Sequence, residues 1–334
     1  MKQYLLFVFA IWVITNNGLL AQSDKPKDKF RFVFYNVENY FDALVDSTLS
    51  YNDFSPNGEM HWTSKKFYEK GRKLYQVFQA LSGWEGFTVA GVCEIENEAV
   101  LNNLLYNTPL KKMNYKYVHY NSGDKRGIDV ALIYGEQFTP IYSEVFSIFD
   151  EHGVQIETRD ILYVKGLLEN DTVHVFINHW TSRYRGLMES NALRMLFSEI
   201  LKSKTDSILE MFPEAHIIAM GDFNDQQEDA SIQNLIKDGS LIGLSASPFQ
   251  NNVSGTLKYK EEWYIFDQIF VSRSLFDGNS LRVSSEGLII FDMPFVLEED
   301  NKYLGYKPFR TNIGYKYNGG YSDHLPVFFD LTRK

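Results

Sequence analysis

Strand-length runs of apolar, β-branched and aromatic residues recur along the chain at 30–35, 88–93, 116–120, 128–134, 162–168, 173–179, 216–220, 264–271 and 325–331. Each closes on polar or glycine-containing punctuation, the signature of a strand ending in a turn. Between them lie patterns of helical period. Residues 64–82 follow Thr63, a suitable N-cap, and carry Phe67, Leu74, Val77, Phe78 and Leu81 close to helical spacing. Residues 190–211 repeat the pattern with Leu193, Leu196, Phe197, Ile200, Leu201 and Ile208, and Pro213 ends it. Shorter helices are predicted at 98–106 and 228–238. Strands outnumber helices, so strict strand–helix alternation fails and a purely parallel doubly wound sheet is disfavoured. Two sheets packed face to face with helices outside fit the inventory, although periodicity alone does not select that layering. With no repeat, low-complexity tract or linker dividing it, 30–334 is expected to form one α/β domain.

The first residues depart from this pattern. Lys2 precedes an apolar run from Leu5 to Val13, a polar break at Thr15, Asn16 and Asn17, and then Leu19, Leu20 and Ala21. A basic start, short apolar centre and small final residue predict a signal peptide over 1–21. The run is shorter than the ~20 apolar residues of a spanning helix, so cleavage is favoured over an anchor and no stable membrane insertion is expected. Residues 22–29 are polar and predict a loose leader. The expected location is therefore periplasmic or extracellular.

Composition narrows the function. The 334 residues are 44% hydrophobic and 16% aromatic, enough to fill a sizeable core. The formal net charge of −10 makes a poor non-specific binder of nucleic acid, since affinity for phosphate backbones comes from Lys and Arg clusters. An acidic balance leaves room for an enzyme whose clustered carboxylates hold a divalent metal. The single cysteine, Cys93, lies in an apolar run; it permits no internal disulfide and reads as a core residue.

Catalytic residue types gather at the ends of the apolar runs. Asn36 and Glu38 follow the first, Glu94 and Glu96 the second, Asn178 and His179 the sixth, and Asp222 and Asn224 the seventh. Asp267 lies within the eighth, and Asp323 and His324 precede the last. Any one such junction has a plain explanation, because Asp and Asn suit turns. Six of them rich in Asp, Glu, Asn and His point to a common cleft.

The segments FYNVEN (34–39), VCEIEN (92–97), RGIDVALIY (126–134), INHWTSR (177–183), GDFND (221–225), FDQIFVS (266–272) and YSDHLPV (321–327) resemble the successive motifs of the endonuclease/exonuclease/phosphatase superfamily, the group that includes deoxyribonuclease I. They occur in the family's order and span most of the chain. The resemblance implies a four-layered α/β sandwich, two packed mixed β-sheets flanked by helices, with a site at one edge. It implies metal-dependent phosphoester hydrolysis, usually with magnesium; manganese or calcium are alternatives. Glu94 matches the family's metal-binding glutamate and Asn36 its neighbouring asparagine. Asp222 and Asn224 match the pair that positions water and phosphate, and Asp323 matches a second acidic metal or water-orienting position. His324 matches the histidine beside the phosphate, and Asp267 the carboxylate that holds it. His179 is expected to pair with Asp129 as a second dyad, unless Asp129 is a strand-edge carboxylate in contact with Arg126. Two histidines place the chain nearer the deoxyribonuclease I and sphingomyelinase branches than the apurinic endonucleases.

The chemistry is consistent with those roles. A hard cation held by carboxylate and amide oxygens offsets charge developing on non-bridging oxygens. Histidine moves protons near neutrality, and a carboxylate behind it sets its tautomer. Arg183 could equally touch phosphate or form a salt bridge; Trp62 and Trp180 read as core or rim packing. His61, His119, His152, His174 and His216 read as structural. The segment 291–321, rich in aromatics and glycine, predicts a long loop beside the cleft, and 42–61 an insertion near it. The expected protein is a monomeric nuclease acting on DNA or RNA. A phosphoesterase of lipid head groups or small phosphorylated metabolites is the alternative, and a catalytically dead adhesion protein the disfavoured third.

Overall fold

The computed structural model describes residues 29–45, 52–183, 187–278 and 280–333. The predicted signal segment, the leader up to residue 28 and part of the 42–61 insertion lie outside the described residues.

The early strands are β1 (Lys29–Tyr40), β2 (Val89–Ile95), β3 (Lys116–His119), β4 (Asp129–Tyr134), β5 (Phe138–Phe146), β6 (Ile161–Leu168), β7 (Asp171–His179) and β8 (His216–Asp222). The larger helices are α1 (Ser64–Ser82), α2 (Glu98–Tyr106), α3 (Leu187–Met211) and α4 (Ala230–Ile236). One sheet of eight strands runs from Ala246–Pro248 through Leu288–Ile290, Val327–Arg333, β1, β2 and β4 to β3, with Leu281–Val283 also pairing with Val327–Arg333. A second, of six strands, runs β5, β6, β7, β8, Asp267–Ser272, Leu241–Gly243. Both are mixed: β1–β2 and β7–β8 are parallel, while β2–β4 and β6–β7 are antiparallel.

The sheets pack face to face, as the alternation of side chains along each strand shows. At Gly91 of β2 a Cβ would stand 2.7 Å from Ile177 Cδ1 of the opposite sheet. The odd residues of β2 therefore face inward, and the interior is filled by residues such as Phe34, Ile177, Met220 and Ile269. The outer face of the second sheet buries Phe176, Ala219 and Phe270 against Phe197 and Leu201 of α3 and Ile232 and Leu235 of α4. On the first sheet, α1 turns Phe67, Leu74, Val77, Phe78 and Leu81 inward, and Phe78 meets Tyr35 edge-on. Thr63 caps this helix and Gly83, at φ 55°, ends it. Layers of helix, sheet, sheet and helix result.

One residue interrupts the apolar face of α1. Lys70 is buried among it. Each large apolar side chain on that face contributes about 1.5–3 kcal/mol, so together they outweigh the several-kcal/mol penalty of dehydrating one ammonium. The helix docks despite the lysine, whose partners lie beside the candidate site.

The predicted strands and the four larger helices all form. An unpredicted strand, β5, contains Pro140 and lies at the sheet edge, where a missing N–H costs no ladder bond. The 291–321 segment is also more regular than a loop: it holds the ribbons Leu297–Glu299 with Tyr306–Pro308 and Asn312–Ile313 with Lys316–Tyr317. Among the described residues no helix is long and apolar enough to cross a membrane.

Candidate active site

Strand register brings the polar junctions together. In the second sheet His179 pairs with Asp222 and Asp222 with Asp267, so three side chains from adjacent strands stand in one row. All three share the parity of the inward-facing Ile177, Met220 and Ile269, and therefore point into the crevice between the sheets. Asn36, in register with Cys93, faces them from the first sheet. Glu94 follows Cys93 and on a regular strand would turn away. It sits instead at φ 64°, at a register shift between β2 and β4. That irregularity swings its carboxylate into the crevice, a common use of a bulge.

The contacts are short. Asn36 Nδ2 donates to Asp222 Oδ2 at 3.0 Å and lies 3.4 Å from Glu94 Oε1. Asn39 N donates to Glu94 Oε2 at 2.7 Å. Asp222 Oδ1 accepts from Asn224 N at 3.0 Å, and Asn224, at φ 51°, donates Nδ2 to Trp180 O at 3.0 Å. His324 Nδ1 lies 2.7 Å from Asp267 Oδ2, while its Nε2 is 3.7 Å from Asp222 Oδ2. His179 Nε2 stands 3.8 Å from the same Asp222 oxygen and 3.9 Å from Glu94 Oε1. Asp222 thus lies between two imidazoles.

Their electrostatics differ in sign. Burial lowers the His324 pKa, but the Asp267 and Asp222 carboxylates outweigh it and hold the ring well above its ordinary value. Burial pushes His179 well below its own, helped by the charges of Arg159, Arg126 and His324. Asp222 and Glu94 pull His179 the other way, but neither is within hydrogen-bond reach of its ring, and burial prevails. Asp222 is itself pushed up, first by burial and then by Asp267, with His324 opposing. Environment thus pushes the two imidazoles beside one carboxylate in opposite directions, one toward holding its proton and the other toward releasing it.

The expected His179–Asp129 dyad does not form. Asp129 accepts from His119 Nε2 at 3.0 Å and from Ser122 N at 2.8 Å, partners within ten residues of it on the same edge. It does not pair with Arg126, which lies 3.5 Å from Asp124. His179 Nδ1 is buried with no hydrogen-bond partner. Behind it stands a cation: Arg159 donates to His179 O and Trp180 O and pairs with Asp124 at 3.0 Å. Arg159 carried no motif and was missed, because its site role depends on where the segment before β6 places it.

Other assignments are settled by contacts. Glu96 accepts from Asp42 N at 2.6 Å and ties the 42–61 segment down, which leaves Glu94 as the glutamate in the crevice. Arg183 is held by Asn224 O, Asp225 and Asp229, so it serves as a brace beneath the GDFND turn. Trp62 and Trp180 are fully buried. Asp323 reaches the mouth of the site, where Arg310 Nη2 donates to it at 2.6 Å. Glu38 is buried next to that pair and accepts from Thr311 N and Asn312 N.

The donor set suits a hard cation. Glu94 is bent into the crevice with its carboxylate partly open and Asp222 adds a carboxylate beside it, while Asn36 turns its Nδ2 to both and its Oδ1 to Glu38 N. Ligand atoms of Asp222, Asp267 and His324 also lie within 4.8 Å of one another. There, however, His324 Nδ1 is committed to Asp267, so that trio forms a hydrogen-bonded dyad with a neighbour, and the Glu94 side is the better fit.

Comparison with known proteins agrees with this geometry. The described fold is similar to an endonuclease/exonuclease/phosphatase family protein from Bacteroides thetaiotaomicron, at TM-score 0.58 and 15% identity over 92% of this chain and 98% of that one. It is similar to the catalytic domain of human nocturnin with bound sulfate, at TM-score 0.56 and 12% identity over 92% and 95%. It is also similar to a mannosyl-6-phosphatase of Bacteroides thetaiotaomicron, at TM-score 0.56 and 14% identity over 91% and 99%. At these identities the likeness is one of fold. No curated protein matches the sequence. The family model described as endonuclease/exonuclease/phosphatase family matches residues 31–333, so this chain belongs to that family of phosphoesterase- and nuclease-type hydrolases.

Proposed function

We propose that this protein is an exported, divalent-cation-dependent phosphodiesterase whose substrate is DNA or RNA. The observation that carries the reading is the pair of imidazoles 3.7 and 3.8 Å from Asp222, with the His324 pKa pushed up and the His179 pKa pushed down. Breaking a sugar–phosphate ester expels an alkoxide, which requires a proton donor at the leaving oxygen, and attack by water requires an acceptor for its proton. His324, held in one tautomer by Asp267, supplies the proton; His179 takes one from water that Asp222 and Asn224 orient. Glu94 and Asn36, with Asp323 near the mouth, would hold the cation, which offsets charge on the non-bridging oxygens. The mannosyl-6-phosphatase among the structural neighbours supports a second reading, a phosphoesterase of small phosphorylated compounds.

Purified protein assayed with magnesium on plasmid, RNA, sphingomyelin and bis-p-nitrophenyl phosphate tests the reading. Hydrolysis of nucleic acid that chelator abolishes is expected, and full turnover with chelator present would rule out cation dependence. Export predicts a mature chain starting at Gln22. Mass spectrometry that finds 1–21 retained on protein outside the cytoplasm contradicts it.

A further inference from the structure

At the mouth of the crevice lies a guanidinium that the two-histidine chemistry leaves unused. Arg310 belongs to a strap, residues 309–321, whose ends close on each other: Tyr321 N donates to Phe309 O, and Gly320 N to Arg310 O at 3.2 Å. Gly320 permits this closure, since a Cβ there would stand 2.1 Å from Phe309 O. Two buried charges fasten the strap from below. Glu38 accepts from Thr311 N at 2.6 Å and Asn312 N at 3.2 Å, and Lys70 donates to Thr311 Oγ1 and Tyr321 O. Burying an ammonium and a carboxylate is costly, and what they hold in place is the strap at Thr311, Asn312 and Tyr321, directly after Arg310.

The side chain is hydrogen-bonded at one point and partly exposed. Nη2 donates to Asp323 Oδ2 at 2.6 Å; Nε lies 3.9 Å from Glu38 Oε1 and makes no hydrogen bond. The arginine side chain is 40% exposed, against 26% for Asp323 and 14% for Glu94. It is therefore the outermost of the three, with its Nε buried and unpaired and the rest of its fork partly exposed at the mouth. A planar fork beside a phosphoester-cleaving centre matches phosphate oxygens in charge and geometry.

We propose that Arg310 binds a non-bridging oxygen of the substrate's phosphoryl group and acts as a specificity-determining residue presented by the 309–321 strap. This rests on the phosphoesterase reading. A terminal phosphate dianion draws more from a guanidinium at the entrance than an internal diester monoanion does, so Arg310 favours a terminal phosphate, at the end of a nucleic-acid strand or on a small phosphoester.

Inorganic phosphate binding, followed by calorimetry with magnesium present, tests the assignment without turnover. Arg310→Ala should weaken phosphate binding about 10- to 100-fold, in line with loss of a charge-assisted hydrogen bond, and Arg310→Lys should restore part of it. The half-saturating magnesium concentration should move less than about threefold. KM for p-nitrophenyl phosphate should rise more than KM for bis-p-nitrophenyl phosphate. If Arg310 only positions Asp323, Arg310→Ala will shift the magnesium dependence and leave phosphate binding at matched saturation unchanged, which overturns the proposal. Absence of phosphate binding by the wild-type protein overturns it as well. Intact phosphate binding without hydrolysis of any ester counts against the phosphoesterase reading alone. Thermal melts identify a variant that fails to fold, and Arg310→Gln, closer in shape, then replaces the alanine.

Discussion

His324 and His179 have the same side chain and opposite expected charge at neutral pH. Asp267, behind His324, raises its pKa, whereas His179 is backed by Arg159 and has no carboxylate on Nδ1. The signs give a pH profile. Activity that needs His324 protonated persists as pH rises until its raised pKa is passed; activity that needs His179 neutral persists as pH falls until its lowered pKa is reached. The alkaline limb belongs to His324 and the most acidic limb to His179, with Asp222, pushed up to about 7 by burial, titrating between them. Asp267→Asn removes the group that raises the His324 pKa, so the alkaline limb of kcat/KM should move to lower pH, with kcat down about 10- to 1,000-fold. A profile that keeps its alkaline limb would assign that limb elsewhere. Alanine at either histidine should lower kcat about 10²- to 10⁴-fold on nucleic acid. On an ester whose leaving group needs no proton, the His324 variant should recover and the His179 variant should not; near-wild-type turnover of both on every substrate would refute the two-histidine mechanism.

At the scale of elements, the site depends on how closely β7 and β8 approach. Gly221 faces Asn178 across that parallel pair, and a Cβ on it would meet Asn178 Cβ and O at 2.5 Å. The obstruction is backbone, so no rotamer change relieves it. Gly221→Ala should push β8 away from β7, displace Asp222 from the row it shares with His179 and Asp267, and cost about 1–3 kcal/mol. A lowered melting temperature and a fall in kcat are expected together. An alanine variant with wild-type kcat would show that the row tolerates displacement. Glu94 illustrates the same dependence, since the irregular turn after Cys93 aims its carboxylate where a regular strand would not.

At the scale of the whole molecule, stability has its own titration far from the crevice. His174, on β7, is held down to about 4, first by burial and then by Lys165 and His216, and its Nδ1 lies 2.7 Å from Tyr163 Oη. The unfolded chain binds this proton near pH 6.5, and the folded chain only near 4. Between those values the unfolded state carries more protons, so stability falls as pH falls from about 6.5 to 4. The melting temperature should decline over that window, and His174→Gln, which keeps an acceptor for Tyr163, should flatten the decline. An unchanged slope would place the acid sensitivity on other groups.

Much of this protein was readable from the order of its residues. Apolar runs of strand length end in Asn36, Glu94, His179 and Asp222, and such punctuation is local, so strand identity followed from sequence. The motif order also anticipated the two mixed sheets and the His324–Asp267 pair. Tertiary structure decided what depends on contacts between distant segments. Asp129 chose His119 and Ser122 over His179 because they lie on its own sheet edge. Arg159 came to back His179 from the segment before β6, Lys70 and Glu38 converged on the strap from separate elements, and Arg310 reached Asp323 across it. Periodicity along a chain reports which face of its own element a side chain occupies; partners brought by other elements are set by sheet register and packing, which no local pattern encodes.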